Sequence, residues 1–179
     1  MRVEILIAGV GGLGIVFAGS VLARAAAIYE GFEVTFSPSY GAEARGTACK
    51  SEVIISDERI LYPRVRNCDF MISMSDDAVL RYIRFLKKDG YLVLDEDLVK
   101  LDVKRKGIKV VRVPAHRKAQ EVLGTPQVTN MVMLGVLAKL LPLVSFESIK
   151  RSIKDLSPKR LVDLNVKALE LGNRIPLGD

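Results

Sequence analysis

The chain has 179 residues, 49% of them hydrophobic and 27% charged, with a formal net charge of +6. That balance excludes a disordered or low-complexity chain and suits a single domain, 1–179, with a sizeable core. One histidine, two cysteines without a Cys-x-x-Cys and no tryptophan argue against a zinc ribbon, a cysteine-ligated iron–sulfur cluster or any other metal held by this chain, and leave few stacking platforms for nucleic acid.

The first feature along the chain is a run of nineteen uncharged positions, Ile5 to Ala23, the length of a membrane span. Five of them are glycine, and Glu4 precedes the run, so it reads as a strand, a glycine turn and a buried helix. No targeting segment is legible, and a soluble, cytoplasmic protein with no membrane partner is expected. Val3 to Ala8 is the strand, Gly9 to Gly14 the turn, and Leu13 to Glu30 a helix stopped by Gly31. That helix is apolar on nearly every side, which predicts a second cover from another subunit.

Phe32 to Ser37 is the second strand, ended by Pro38, and Ser39 to Gly46 a loop. Thr47 to Ser56 is a long strand that Asp57-Glu58 turns back into Arg59 to Tyr62, an antiparallel hairpin at the sheet edge. Asp69 to Ser73 is a core strand, and Asp76 to Lys88 a helix capped by Ser75 or Asp76 and broken by Gly90. Tyr91 to Leu94 and Ile108 to Val113 complete the strands. Between them, Lys100 to Lys109 is the densest basic segment; it reads as a solvated loop or as a contact for an acidic partner or a phosphate-bearing ligand. The rest is helical: His116 to Leu123, an almost wholly apolar Pro126 to Leu141, then amphipathic Ser145 to Lys154 and Pro158 to Leu171. The alternation predicts a three-layer α/β fold on a mostly parallel sheet, with an antiparallel edge hairpin and a helical C-terminal part.

Two motifs stand out. Gly9-Val10-Gly11-Gly12-Leu13-Gly14 has GxGxxG spacing after a strand and before a helix, where bare backbone amides attract a phosphate. A dinucleotide site also wants an acid at the end of the second strand, and Phe36-Ser37-Pro38 supplies none. The glycines read equally as a means of close strand–helix packing. The second motif, Pro38-Ser39-Tyr40-Gly41-Ala42-Glu43-Ala44-Arg45-Gly46, follows the second strand at the carboxyl edge of the sheet. It is either a plain exposed loop or a docking loop in which Tyr40 is an anchor and Arg45 a fork for a carboxylate, a phosphate or backbone carbonyls. Asn130, in an apolar helix, either caps the backbone of residues 126–128 or reaches a ligand. No nucleophile–base arrangement surrounds His116, so no catalytic residue is assigned. Cys49 reads as a core thiol, and Asp95, Glu96 and Asp97 as a polar turn.

Together, Ile7 to Gly14 and Pro38 to Gly46 resemble the gamma subunit of 2-oxoacid:ferredoxin oxidoreductases. Ala48 to Ser56 is similar to that family's next strand, and Asn130 with Met133-Leu134-Gly135 to its later helix. The loop is most like the 2-oxoglutarate type. Leu13 stands where the family often has Gln, and Thr47 where it often has Gly. The resemblance implies a Rossmann-like subunit, inactive alone, of a complex that oxidatively decarboxylates a 2-oxoacid with coenzyme A, giving acyl-CoA, carbon dioxide and reduced ferredoxin. Thiamine diphosphate, Mg2+ and iron–sulfur clusters are then expected in partner subunits (alpha, beta and a ferredoxin-like delta), with ferredoxin as electron acceptor. Gly9, Gly11, Gly12 and Gly14 become weak cofactor-side positions. Ser39, Tyr40, Gly41, Glu43, Arg45, Gly46 and Asn130 become interface or coenzyme A-side positions. The alternatives are a free-standing Rossmann-type enzyme using a nicotinamide cofactor and a small-molecule-binding regulatory domain.

Overall fold

Six strands form one sheet in a computed structural model that describes residues 1–40 and 48–177. They are β1 (Arg2–Val10), β2 (Glu33–Ser39), β3 (Ala48–Ser56), β4 (Cys68–Ser73), β5 (Leu86–Asp95) and β6 (Lys109–Val113), in the spatial order β2-β3-β1-β4-β5-β6. β1, β4, β5 and β6 run parallel, whereas β3 is antiparallel to both of its neighbours, β1 and β2. Continuous apolar runs such as Ile5-Leu6-Ile7-Ala8, all fully buried, are what a strand covered on both faces requires.

One face of the sheet carries most of the helices: α1 (Ile15–Arg24, continued by a π-helical turn to Tyr29), α3 (Ala115–Leu123), α4 (Thr129–Leu140), α5 (Phe146–Leu156) and α6 (Val162–Arg174). The other face is covered by α2 (Asp76–Tyr82), by residues 99–108 and by Ile60 and Val65. This is the three-layer arrangement expected. Local signals set several boundaries. Gly31 is left-handed, with φ 76°, just past the first helix, and the Ser75 and Ser145 hydroxyls accept the amides of Ala78 and Ser148 at the starts of α2 and α5.

The antiparallel edge pair is β2 with β3, not residues 47–56 with Arg59 to Tyr62. Both sides of β3 are already taken by β1 and β2, so no edge is left for that hairpin. Instead the chain after Ser56 crosses the second face. There the buried Glu4 carboxylate accepts the amides of Arg66 at 2.8 Å and Asn67 at 3.1 Å, and Arg2 donates to the Tyr62 carbonyl. Pro38 does not end β2, which runs to Ser39; an outer strand tolerates a residue that cannot donate. The helix expected to reach Lys88 stops at Tyr82, because Leu86 is already paired with Cys68 in the sheet. Gly90 therefore lies within β5, at a register shift where a Cβ would meet the Asp69 carbonyl at 3.1 Å.

Much of the cover for the two apolar helices comes from within this chain, although Ile28, in the turn that continues α1, is 60% exposed. α4 is buried at every position from Thr129 to Leu137, with the sheet beneath it and α3, α5 and α6 around it. At its crossing with α6, glycine faces backbone on both sides. A Cβ at Gly135 would lie 2.1 Å from the Leu169 carbonyl oxygen, and one at Gly172 would lie 1.9 Å from that of Val132. α1 is held in the same way: Gly19 lies against Ser51 of β3, whose hydroxyl donates to the Ile15 carbonyl at 2.8 Å, and Ser152 of α5 donates to the Val21 carbonyl at 2.8 Å. No helix among the described residues is long and apolar enough to cross a membrane.

Candidate functional site

Because β1, β2 and β4 to β6 all point the same way, their carboxyl ends gather at one end of the sheet, together with the start of β3. The glycine turn leaves β1 there, and Tyr40 leaves β2. The pairing of Val10 with Ala48 and of Ser39 with Lys50 fixes their relative position. Open α/β sheets bind their ligands and partners at this end.

The four glycines of the turn do different work. Gly9 packs beneath the first turn of α1, where a Cβ would meet the Ile15 Cδ1 atom at 2.9 Å. Gly14 is left-handed, with φ 68°, and a Cβ there would lie 2.3 Å from the Asn130 Nδ2 atom. Among the described residues, Gly11 and Gly12 have nothing within 4 Å of a Cβ and are exposed, although Gly12, at φ 93°, also needs a left-handed backbone. Close packing thus accounts for Gly9 and Gly14 and does not account for Gly11.

Asn130 does not cap the backbone of residues 126–128; it reaches the glycine turn instead. It is 5% exposed, and its Nδ2 donates to the Gly14 carbonyl at 3.0 Å, an oxygen that also accepts the Ala18 amide at 3.0 Å. The buried carboxamide therefore pins the left-handed residue that opens α1. No side chain among the described residues caps α1, and its first turn holds no acid. Its amides and the positive end of its dipole are left for a carbonyl or an anion.

Two clefts flank this turn and share Gly14 and Phe17. One, of about 360 Å³, lies between the turn and Tyr40, with Val10, Val16 and Cys49 in its walls; Tyr40 is 70% exposed. The other, of about 220 Å³, is closed by Asn130, Pro158, Leu161, Leu164 and Asn165. The second cleft is not legible in the sequence, since its walls come from four separate elements. Asn130, a polar residue in the otherwise largely apolar α4, was the available signal for it. Ser39 ends β2 beside Tyr40, whereas Gly41, Glu43, Arg45 and Gly46 lie outside the described residues.

The groups at this end do not make a reacting centre. Burial raises the pKa of the Cys49 thiol and pushes that of Cys68 up to about 12, so neither offers a thiolate at neutral pH. His116 has Thr129 Oγ1 at 3.4 Å from its Nδ1. Asp95 is fully buried and accepts the amides of Asp97, Leu98 and His116. Burial raises its pKa, and those amides offset the rise only in part. Asp97 accepts the Arg117 amide at 2.9 Å, so the acidic trio holds the start of α3. Among the described residues no His, Cys, Asp and Glu side chains cluster as metal ligands. Ser37, Pro38 and Ser39 put no acid at the end of β2, where a dinucleotide ribose would need one. In the basic segment, Arg105 is spent on the Ile83 and Leu86 carbonyls and Lys100 on that of Glu96. Gly107 meets Asp89 at the start of β5, at the end of the sheet away from the glycine turn.

The fold and the site thus define a Rossmann-like α/β domain with a shaped surface at the carboxyl end of its sheet. Residues 4–175 match the pyruvate ferredoxin/flavodoxin oxidoreductase family, and the chain belongs to it. It is 41% identical over 180 residues to the 2-oxoglutarate synthase subunit KorC of Methanothermobacter marburgensis, covering 98% of this chain and 97% of that one. It is 42% identical over 176 residues to the KorC subunit of Methanocaldococcus jannaschii, covering 98% and 94%. Among solved structures, the gamma subunit of a keto/oxoacid ferredoxin oxidoreductase from Geobacter sulfurreducens is 35% identical. It superposes with a TM-score of 0.86 over 96% of this chain and 94% of that chain. The chain is a gamma-type subunit of an oxoacid:ferredoxin oxidoreductase, as the two sequence motifs implied.

Proposed function

We propose that the chain is the gamma subunit of a cytoplasmic complex that oxidatively decarboxylates 2-oxoglutarate. With coenzyme A, the complex yields succinyl-CoA, carbon dioxide and reduced ferredoxin. The observation that carries the choice of substrate is the end-to-end likeness to 2-oxoglutarate synthase subunits at 41% and 42% identity. The chain acts as one domain over 1–179 and is inactive alone. Alpha and beta subunits and a ferredoxin-like delta subunit supply thiamine diphosphate with Mg2+ and the iron–sulfur clusters, which provide decarboxylation and electron transfer. The described residues here, with two inert thiols and no metal-ligand cluster, suit that division.

In this reading the carboxyl end of the sheet is the working surface. The unfilled space over Gly11 and Gly12 and the uncapped start of α1 receive a partner's backbone or the coenzyme A side of the active site. Tyr40 lines this space, Ser39 and the following Gly41, Glu43, Arg45 and Gly46 are the proposed contact residues, and Asn130 holds the turn in shape. Anaerobic purification of the tagged chain from its host tests the proposal. A brown, thiamine-containing assembly that reduces ferredoxin with 2-oxoglutarate and coenzyme A, and slowly or not at all with pyruvate, is expected. A colourless chain recovered alone that binds a nicotinamide dinucleotide would overturn it. In the assembly, Arg45→Ala should weaken subunit association or raise the KM for coenzyme A; an unchanged complex with unchanged kinetics would remove Arg45 from the site.

A further inference from the structure

The second face of the sheet carries a groove that the proposed function does not use. It lies between α2 and the irregular segment after β5, encloses about 270 Å³, and has an apolar floor of Val79, Ile83, Leu101 and Val103. Leu80 stands at its lip with 65% of its surface exposed. Leu80 continues the apolar floor out to the surface, so the two together form a patch that a partner's apolar side chain can cover.

The rim of the groove is basic. Lys104 and Arg105 line it, Lys106 follows them in sequence, and Arg84 follows Ile83 of the floor; all four are exposed. The acids nearby are largely occupied. Asp76 accepts the amides of Lys100 and Leu101, Asp77 pairs with Arg81 at 2.6 Å, and Asp69 pairs with Lys87 at 2.8 Å. Asp102 is the single carboxylate in the groove wall. Arg105 donates to the Ile83 and Leu86 carbonyls, which fixes its guanidinium in place without cancelling its charge. The trough is thus apolar at its base and positive at its rim, and its complement is an acidic segment with an apolar anchor.

We propose that this groove receives an acidic, apolar-anchored segment of a sister subunit, a second contact on the face of the sheet opposite α1. The inference rests on the gamma-subunit reading above. Leu80 meets the partner's apolar side chain, and Lys104, Lys106 and Arg84 meet its carboxylates. Arg105 holds the groove wall and belongs to the fold as much as to the contact.

The test uses the whole complex, co-expressed with its sister subunits and carrying wild-type chain, Lys104→Glu with Lys106→Glu, or Leu80→Asp. Subunit dissociation is followed by sedimentation over a sodium chloride series, and activity is assayed in parallel. All three altered side chains are exposed, so an unchanged melting temperature of the free chain is the control for folding. The double charge reversal should lower the salt concentration that splits the complex about threefold. Leu80→Asp should weaken association about tenfold at every salt concentration. A wild-type complex that assembles and turns over, with both variants dissociating like it, overturns the groove and leaves the gamma-subunit reading intact. A wild-type chain that never assembles overturns both. Variants that assemble normally but raise the KM for ferredoxin would assign the groove to a soluble acidic protein and overturn the sister-subunit contact. A raised KM for coenzyme A alone would overturn it in favour of a phosphate contact.

Discussion

Two places in this molecule are built around glycine, for opposite reasons. At the crossing of α4 and α6, Gly135 and Gly172 each sit against the other helix's backbone, where a Cβ would lie 2.1 Å or 1.9 Å from a carbonyl oxygen. At the carboxyl end of β1, Gly11 and Gly12 have open space within 4 Å. The first pair is explained by what is present, since the helices could not approach with any larger residue. Gly12 is explained in part by its positive φ, but Gly11 has neither a neighbour to avoid nor a left-handed backbone. Among the described residues nothing explains Gly11, and Tyr40 and the uncapped start of α1 stand beside it; in the proposed function this is the surface that a partner approaches.

The contrast can be broken at either end. The largest effect is expected from Gly172→Ala, whose methyl group would overlap the Val132 carbonyl. Backbone cannot yield as a side chain can, so a loss on the order of 3 kcal/mol is expected. At this chain length that corresponds to a fall of roughly 6–12 °C in Tm. A calorimetric Tm within a degree of wild type would mean that the helices do not meet as described. Gly14→Ala comes next, with a left-handed backbone and the Asn130 carboxamide in the way; a loss of about 2 kcal/mol is expected. Removing the obstacle should recover part of it, so Gly14→Ala with Asn130→Ala should fall short of the sum of the two single losses. Strict additivity in chemical denaturation would show that Asn130 does not hold the turn.

Gly12→Ala isolates backbone strain without a clash and should cost about 1 kcal/mol. Gly11→Ala is the smallest and sharpest of the series. Its effect on the stability of the free chain should lie within about 0.5 kcal/mol of zero, while association with the other subunits or the KM for coenzyme A should worsen. If Gly11→Ala is instead silent in both, the open space over the turn serves nothing. Tyr40→Ala, at a position 70% exposed, should follow the same pattern.

Much of the fold was legible because its signals are local. The apolar run of β1, the glycine turn, the stop at Gly31 and the caps at Ser75 and Ser145 are all set by neighbours in sequence. The sheet order was not, because nothing within residues 48–56 says that β1 will occupy one side and β2 the other. The apolar α1 and α4 showed that they needed cover but not its source. That answer lies in the amphipathic α5 and α6, whose apolar stripes supply it from within the chain. At the site, the residue types of both motifs were readable. The hydrogen bond from Asn130 to Gly14 was not, since it spans 116 positions and no periodicity encodes it. Nor was the fate of Arg105, whose carbonyl partners depend on where α2 ends.

The most direct measurement is amide hydrogen exchange on this chain, free and within the assembled complex. If the open glycines mark the working surface, the amides of residues 11–17 and Tyr40 should exchange readily in the free chain and become protected on assembly. Those of α4, already enclosed, should be equally slow in both. Equal exchange at the glycine turn in the free and assembled states, with new protection confined to other surfaces, would contradict that assignment.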